Sequence, residues 1–437
     1  MGRKINTSTR RHFLRAVVSG APLLLGEFSP LRAWAHPEPF PFEKERESAE
    51  DNRFWELVRK EFPLTRERIY FNTGGLGPSP NYVLEATLAM MRKVNEISET
   101  EHHVLNDIRQ RAATFLGCDP EELAFTRNAT EGMNVIARGV AQGMHFRAGD
   151  EIITTTHEHP GGAQPWLALK NDLGITIRLV DPVLDPRKNM ELFLDKITTR
   201  TKGIMLSHVT CTLGYKFPVK EICAEAHKRG LFCALDGAQA VGMFPFSLHE
   251  IGCDFYTTSG HKWLLGPKGT GLVYISKKAR RFFVPTFVGA YSNDQYDLDK
   301  LILTYRKSAD CTEYGTRNSA LVAGLGAAMD FLETIGMKRV AQHGAHLAGY
   351  FKSELRTIKG VRILTPASFK TSNSIATFQI EGKNYRDVVT ELVKNRKLRV
   401  RPVGEHHINA IRVSFHVFNQ KKEVDVLLEA VHDMARQ

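Results

Sequence analysis

From Leu123 to Ile275 short apolar runs alternate with stretches of helical periodicity, and no other feature restricts the fold as much. The runs are Leu123–Thr126, Glu151–Thr154, Thr176–Val180, Gly203–Ser207, Leu231–Leu235, Phe255–Thr257 and Gly271–Ile275. Strands separated by helical crossovers run mostly parallel, in one sheet covered by helices on both faces. The expected fold class is therefore α/β, with a mostly parallel seven-stranded sheet in a large domain spanning 81–318. After about Thr316 the pattern changes. Long amphipathic helices, Ser319–Ile335 and Met337–Ile358, precede strands at Val361–Leu364, Ile375–Ile380, Leu398–Val400 and Ile411–Phe415. A smaller α+β domain is expected over 319–437. Residues 53–80 are expected to pack against that small domain, and the Pro- and Glu-rich stretch 36–52 is expected to be a linker.

In a parallel sheet the functional loops gather beyond the carboxyl ends of the strands. Asp236 ends one run there, in Leu235-Asp236-Gly237-Ala238-Gln239, and Lys262 follows another, in Ser259-Gly260-His261-Lys262. A lysine amine and a carboxylate at one sheet edge suit pyridoxal 5'-phosphate (PLP). The amine condenses with the cofactor aldehyde, and the carboxylate keeps the pyridine nitrogen protonated. Gln239, between them, is placed to reach the phenolic oxygen. The turn Thr126–Gly132 opens a helix whose N–H groups, with the Thr130 hydroxyl, suit a phosphate; the plainer account is a helix cap by Thr130 with Glu131 on the dipole. His159 follows another strand, where a flat imidazole could stack on the pyridine. A metal site on the His157-Glu158-His159 spacing is the competing account, and it lacks a third ligand nearby. Arg412, on a strand of the small domain, is the candidate clamp for a substrate carboxylate, with Arg399 and Arg401 as neighbours that could serve instead. Gly266–Gly271 lacks the spacing of a phosphate loop and precedes a strand.

These motifs, in this order, resemble the class V aminotransferases of the fold-type I PLP enzymes over nearly all of the chain beyond the leader. The resemblance implies Lys262 as the Schiff-base lysine, Asp236 as the pyridinium partner, Gln239 as the O3′ contact and His159 as the stacking ring. It implies phosphate contacts from Ala129, Thr130, Ser259 and His261. Thr316, in Gly315-Thr316-Arg317-Asn318, matches a threonine that reaches the phosphate of the neighbouring subunit, so a homodimer is implied. Arg412 matches the substrate-carboxylate arginine. The branch it most resembles is isopenicillin N epimerase-like. Two departures stand out. Cys211 occupies a position where many members carry Asn, so the usual polar group is either missing or supplied by Thr210. And the loop Val403–Asn409, where cysteine desulfurases carry their nucleophile, holds no cysteine. The reaction expected on these grounds is aminotransferase- or epimerase-like chemistry at the α-carbon of a small amino substrate or a peptide residue, with Lys262 removing the α-proton and cysteine desulfuration disfavoured. The rival accounts are a PLP-fold binding protein without catalysis and a metal-dependent hydrolase built on His157, His159 and His208.

The first 35 residues read as an address. Thr9-Arg10-Arg11-His12-Phe13-Leu14-Arg15 is a near-complete twin-arginine signal, and Ala33-Trp34-Ala35 offers a small-x-small cleavage pattern. Export by the twin-arginine translocase to the periplasm, with cleavage after Ala35, is the expectation. The intervening apolar stretch is too short to span a bilayer, so no stable membrane insertion is expected. Removing the leader, with six basic residues and one acid, lowers the formal charge from +11 to +6. That charge implies no nucleic-acid partner, and no basic run is interleaved with aromatics. The six cysteines lack metal spacing. One disulfide is possible in an oxidising compartment, with no pair singled out by sequence.

Overall fold

The structure, a computed structural model, describes residues 40–45 and 52–436. The expected signal peptide lies outside the described residues. After a two-residue strand β1 (Ile69–Tyr70), the main sheet is built from β2 (Leu123–Thr126), β3 (Glu151–Thr155), β4 (Thr176–Val180), β5 (Thr201–Ser207), β6 (Phe232–Asp236), β7 (Phe255–Ser259) and β8 (Gly271–Ile275). Its spatial order is β2-β8-β7-β6-β5-β3-β4. Pairing is parallel from β7 across to β4, and β8 runs antiparallel to both β7 and β2. The expected mostly parallel seven-stranded sheet is present. The reversal has a simple cause: the connection Gly260–Thr270 is too short for a crossover helix, so β8 must return beside β7.

Alternate residues of the central strands feed separate cores, as a two-residue period demands. Ile204, Leu206, Cys233 and Leu235 pack on one face, and Met205, Phe232 and Ala234 on the other. The covering helices in chain order are α1 (Asn52–Lys60), α2 (Asn81–Ile97), α3 (His103–Leu116), α4 (Ala129–Gly143), α5 (Pro160–Leu173), α6 (Pro186–Asp195), α7 (Val219–Lys228), the single turn α8 (Leu248–Ile251) and α9 (Ser319–Ile335). The apolar pattern alone does not predict α6. Its signal is a cap: the Asp185 side chain accepts from Arg187 N, and Pro186 opens the first turn.

The small domain carries α10 (Met337–Leu355), α11 (Tyr385–Thr390) and α12 (Lys421–Arg436) around a four-stranded antiparallel sheet. With a hairpin β9 (Asn293–Asp297) and β10 (Ile302–Tyr305) lying earlier in the chain, its strands are β11 (Val361–Ile363), β12 (Ile375–Ile380), β14 (Arg401–Val403) and β15 (Ala410–Ser414); β13 (Leu398–Arg399) pairs instead with β1. That pairing and the Arg59–Glu423 ion pair at 2.8 Å tie part of residues 53–80 to the small domain, while Phe54, Trp55, Val58 and Phe62 pack into the large core.

Two expected boundaries move. Helix α9 packs on α2 and α3, with Ala323, Ala327 and Phe331 in one core with Tyr82, Val83 and Leu105. Its small residues permit close approach: a Cβ on Gly324 would lie 2.1 Å from Thr87 Oγ1. The small domain thus begins after Ile335, not at 319. Residues 40–45, expected in the linker, include Phe40 and Phe42, which are fully buried against Tyr82, Phe54 and Phe331. Their aromatic surface outweighs the Pro/Glu character of their neighbours. All six cysteines are free, and the thiols of Cys223 and Cys233 lie 2.9 Å apart.

Candidate active site

The carboxyl edge of the sheet opens into a cavity of about 290 Å³. Ala129, Thr130, His159, Asp236, Gln239, Ser259, His261, Lys262 and Arg412 all line it, joined by Gly74, Gly75, Asn128 and Arg401. Nine of the ten site residues expected from the sequence therefore meet in one place. Thr316 does not. It lines a separate cavity of about 360 Å³ beside Phe125, Arg127 and Tyr314.

Lys262 sits in the turn after β7. Leu265 N donates to Lys262 O at 3.1 Å with Leu265 at φ 61°, a left-handed conformation that costs a branched residue about 1–2 kcal/mol. The glycine loop Gly74–Gly77 presses against this turn: Gly77 N donates to His261 O at 2.7 Å, and a Cβ on Gly77 would fall 2.0 Å from Lys262 O. Close approach is what requires glycine there. Burial holds Lys262 below its ordinary pKa, against the charge of Asp236 and with help from Arg412 and Arg401. Burial likewise raises Asp236, offset by Lys262. Desolvation thus drives both towards neutrality, and the neutral amine is the nucleophilic form.

The phosphate end is built from three elements. Asn128, not Thr130, caps α4, accepting from Glu131 N at 2.9 Å. The plainer account of Thr130 as a cap does not hold, and Thr130 is left to line the cavity. Ala129 N donates to Ser259 Oγ at 3.0 Å, leaving the Ser259 hydroxyl proton free. His261 Nδ1 is buried without a partner. Burial, then the charges of Lys262 and Lys268, hold its pKa at about 4, so it is neutral at pH 7. A buried polar atom without a partner normally waits for one. A helix N-terminus, two hydroxyls and this orphan nitrogen fit a phosphate.

Gln239 donates to Gly74 O at 2.7 Å and accepts from Trp263 Nε1 at 2.8 Å, which fixes the amide and leaves one N–H for a ligand oxygen. His159 caps α5, its Nδ1 accepting from Gly161 N at 3.0 Å. The ring is open to the cavity, yet desolvation and the Lys262 and Arg401 charges hold its pKa near 4. A neutral flat ring results. Thr210, offered by the sequence as a substitute polar group, is committed locally: its hydroxyl accepts from Tyr215 N at 3.0 Å. Cys211 is buried, and its carbonyl holds Arg412.

Arg412 is fully buried. Its guanidinium donates to Cys211 O at 2.7 Å and Asn72 Oδ1 at 2.9 Å, both neutral, and its Nε is unpartnered. Burial and the nearby Arg401 lower its pKa to about 9. A buried cation held only by neutral oxygens needs an incoming anion. Sequence reasoning misses the clamp's support, Asn72, although the turn-rich Asn72–Pro78 loop is visible in the chain.

The histidines offered for metal diverge. His157 Nδ1 meets Thr212 Oγ1 at 2.7 Å, and His208 Nδ1 meets Tyr256 OH at 3.0 Å deep in the core. Among the described residues, the cluster with metal-ligand spacing is Asp119, Glu122 and His249, far along the chain from these.

Glu158, beside His159, has no role that the sequence announces. It is buried, and Oε1 accepts from Thr155 Oγ1 at 2.7 Å and Ser207 N at 3.0 Å, while Oε2 has no partner. Burial first, then the Asp236 charge, raise its pKa to about 7. Because the folded-state value lies above the unfolded one, stability is lost as pH rises from the ordinary carboxylate range through about 7. Glu158→Gln should therefore be more stable than the parent at pH 8, by up to about 3 kcal/mol, and level with it at about pH 4. Thermal melts of both proteins at the two pH values check this.

Comparison with known proteins agrees with this geometry. The aminotransferase class-V profile matches residues 79–427. The chain belongs to the class V aminotransferase family, and its cofactor is PLP. A probable cysteine desulfurase of Methanothermobacter thermautotrophicus is 28% identical over 87% of this chain and 98% of its own length, and the cysteine desulfurase of an Enterobacter species is 30% identical with the same coverage. The solved apo structure of the Thermococcus onnurineus cysteine desulfurase superposes with TM-score 0.79 at 29% identity, covering 87% and 98%. A C-DES variant with glycine covalently linked to its PLP gives 0.78 at 25% identity, covering 86% and 99%. These relatives overturn the expectation that desulfurase chemistry is disfavoured and aminotransferase- or epimerase-like chemistry favoured. They replace the isopenicillin N epimerase-like placement with a desulfurase-like one. The absent loop cysteine is too narrow a ground, because one residue weighs less than similarity along the whole chain.

Proposed function

We propose that this enzyme cleaves the carbon–sulfur bond at the β-carbon of cysteine or a cysteine-derived amino acid. The observation carrying it is the joint presence, in one cavity, of Lys262, Asp236 and an anion-less buried Arg412, in a chain whose relatives are desulfurases. The cofactor, when bound, supplies an electron sink at the substrate α-carbon. The residues supply the rest. Arg412 takes the substrate carboxylate and orients the α-carbon towards Lys262. The Lys262 amine carries the proton at that carbon, aided by a depressed pKa. Asp236 would hold the proton on the ring nitrogen, and the neutral His159 imidazole would stack against the ring. Cysteine and an acceptor thiol then become alanine and a persulfide, which balances without any further oxidant. With L-cysteine and dithiothreitol, sulfide and alanine should form in equal amounts. Absence of sulfide from cysteine and cystine, together with absence of a released thiol from S-alkyl cysteines, would reject the reading.

Thr316 supports a homodimer that completes each site from its partner. Phe287, Tyr296, Leu298 and Leu301 are 60%, 64%, 67% and 87% exposed, apolar surface suited to a second copy. Light scattering should give twice the chain mass, and Thr316→Ala should weaken cofactor binding; a monomer of full cofactor affinity contradicts this. The leader motif in residues 1–35 further supports export to the periplasm. Replacing Arg10 and Arg11 by lysines should strand the protein in the cytoplasmic fraction.

A further inference from the structure

The cavity holds a second guanidinium that the reaction above leaves unused. Arg401 on β14 stands directly opposite Arg412 on β15 in their antiparallel pairing, so the two side chains rise next to each other on one face. Both line the cavity with Lys262. The Arg401 charge reaches into it, lowering the pKa of both His159 and Arg412. Two like charges on neighbouring positions repel, and one substrate carboxylate neutralises only one of them.

The partner Arg401 has now is Glu405, whose two carboxylate oxygens meet its guanidinium. Half-burial works to raise the Glu405 pKa, but the Arg401 charge and hydrogen bond hold it low, so it is ionised at neutral pH. Glu405 belongs to a single tight turn, Glu405–His407, in which His406 and His407 both have left-handed φ, at 50° and 58°. Consecutive non-glycine residues in that region are strained. The turn's other contact with a charged side chain is His406 to Asp181 at 3.3 Å, between two exposed side chains, which is weak. The carboxylate on Arg401 is therefore carried by a strained, lightly fastened turn at the cavity rim.

We propose that Arg401 is a second anion site, for the distal carboxylate of a substrate whose α-carboxylate sits on Arg412, and that Glu405 fills it until displaced. The inference rests on the proposed function in taking Arg412 as the α-carboxylate clamp, and it deepens that function by naming the substrate class: a cysteine-derived amino acid ending in a second carboxylate, such as cystine or an S-carboxyalkyl cysteine. Glu405 is a stand-in for that group. It keeps the guanidinium neutralised in the empty site and sets a threshold that a monocarboxylate does not overcome.

Calorimetric titration of the holoenzyme with succinate and glutarate, against butyrate, tests this without turnover, since none of the probes carries an amine. At least one dicarboxylate should bind about tenfold tighter than butyrate, the size of one charge-assisted contact. Arg401→Gln should bring that ratio below about twofold, and Glu405→Gln, which removes the competitor, should raise it several-fold. Arg401→Lys, which keeps the charge without the fork, should give an intermediate ratio and guards against a folding defect in the glutamine variant. A ratio near one in the parent, or a ratio that Arg401→Gln and Glu405→Gln leave unmoved, overturns the proposal. The two readings fail separately: no sulfide from cysteine with the dicarboxylate preference intact sinks only the reaction, and sulfide without the preference sinks only the second site.

Discussion

Lys262→Ala should lose carbon–sulfur cleavage by a factor on the order of 10³ or more, and with it the borohydride-fixable link between chain and cofactor. Both losses follow from one atom. The Lys262 amine is the group that can bond the cofactor aldehyde and carry the α-proton, because the other amine near the turn, Lys268, faces Ser79 Oγ at 3.5 Å outside the cavity lining. The fold should survive, since the turn is held by backbone contacts of Gly260, Leu265 and Gly77 that the side chain does not make. Cofactor should still bind, through Thr130, Ser259, His261 and the α4 N-terminus, though reversibly. Added methylamine should restore part of the rate by standing in for the missing amine. Peptide mapping after borohydride reduction decides the matter: label on a peptide containing residue 262 in the parent and on none in the variant is expected, and label elsewhere removes Lys262 from its role.

How much of this is legible in the sequence depends on whether the signal is local. Lys262 and Asp236 are readable because each ends or follows an apolar run, and a parallel sheet sends such ends to one edge. The reversed β8 is readable only in hindsight, from the shortness of Gly260–Thr270. The position of α9 is not readable. Its Ala- and Gly-rich sequence fits either domain, and only contact with Tyr82 and Leu105 assigns it. Phe40 and Phe42 are hidden by a Pro/Glu background, because burial is a property of the partner surface and not of the segment. Arg401 shows in the sequence merely as a rival of Arg412. The register that sets them opposite each other lies in the β14–β15 pairing, which no single-strand pattern encodes. Asn72 and Glu158 escape for the same reason: their roles are hydrogen bonds to residues 340 and 49 positions away.

Asp236→Asn should separate catalysis from stability. Asparagine has the same shape and can keep the hydrogen bond from Ala238 N to Oδ1, which is 2.9 Å in the parent. What it removes is the negative charge that would face the cofactor's ring nitrogen. A neutral amide does not hold the proton there, so the electron sink weakens, and the turnover rate should fall by about 10²–10³, equivalent to about 3–4 kcal/mol of electrostatic stabilisation. The stability effect has the opposite sign in the cofactor-free protein. Burial raises the Asp236 pKa above its unfolded value, so the folded chain binds the proton more tightly, and stability falls as pH rises through the interval between the two values. Above that interval the apoprotein holds a desolvated charge that Lys262 offsets only in part. Asparagine relieves it, and apo Asp236→Asn should melt above the parent at pH 8 and level with it at acidic pH. The cofactor reverses the comparison, because its protonated nitrogen gives the carboxylate its missing partner: saturating PLP should raise the melting temperature of the parent more than that of the variant. An Asp236→Asn enzyme that turns over within about tenfold of the parent, or that gains as much from PLP, would mean that the carboxylate does not face the ring.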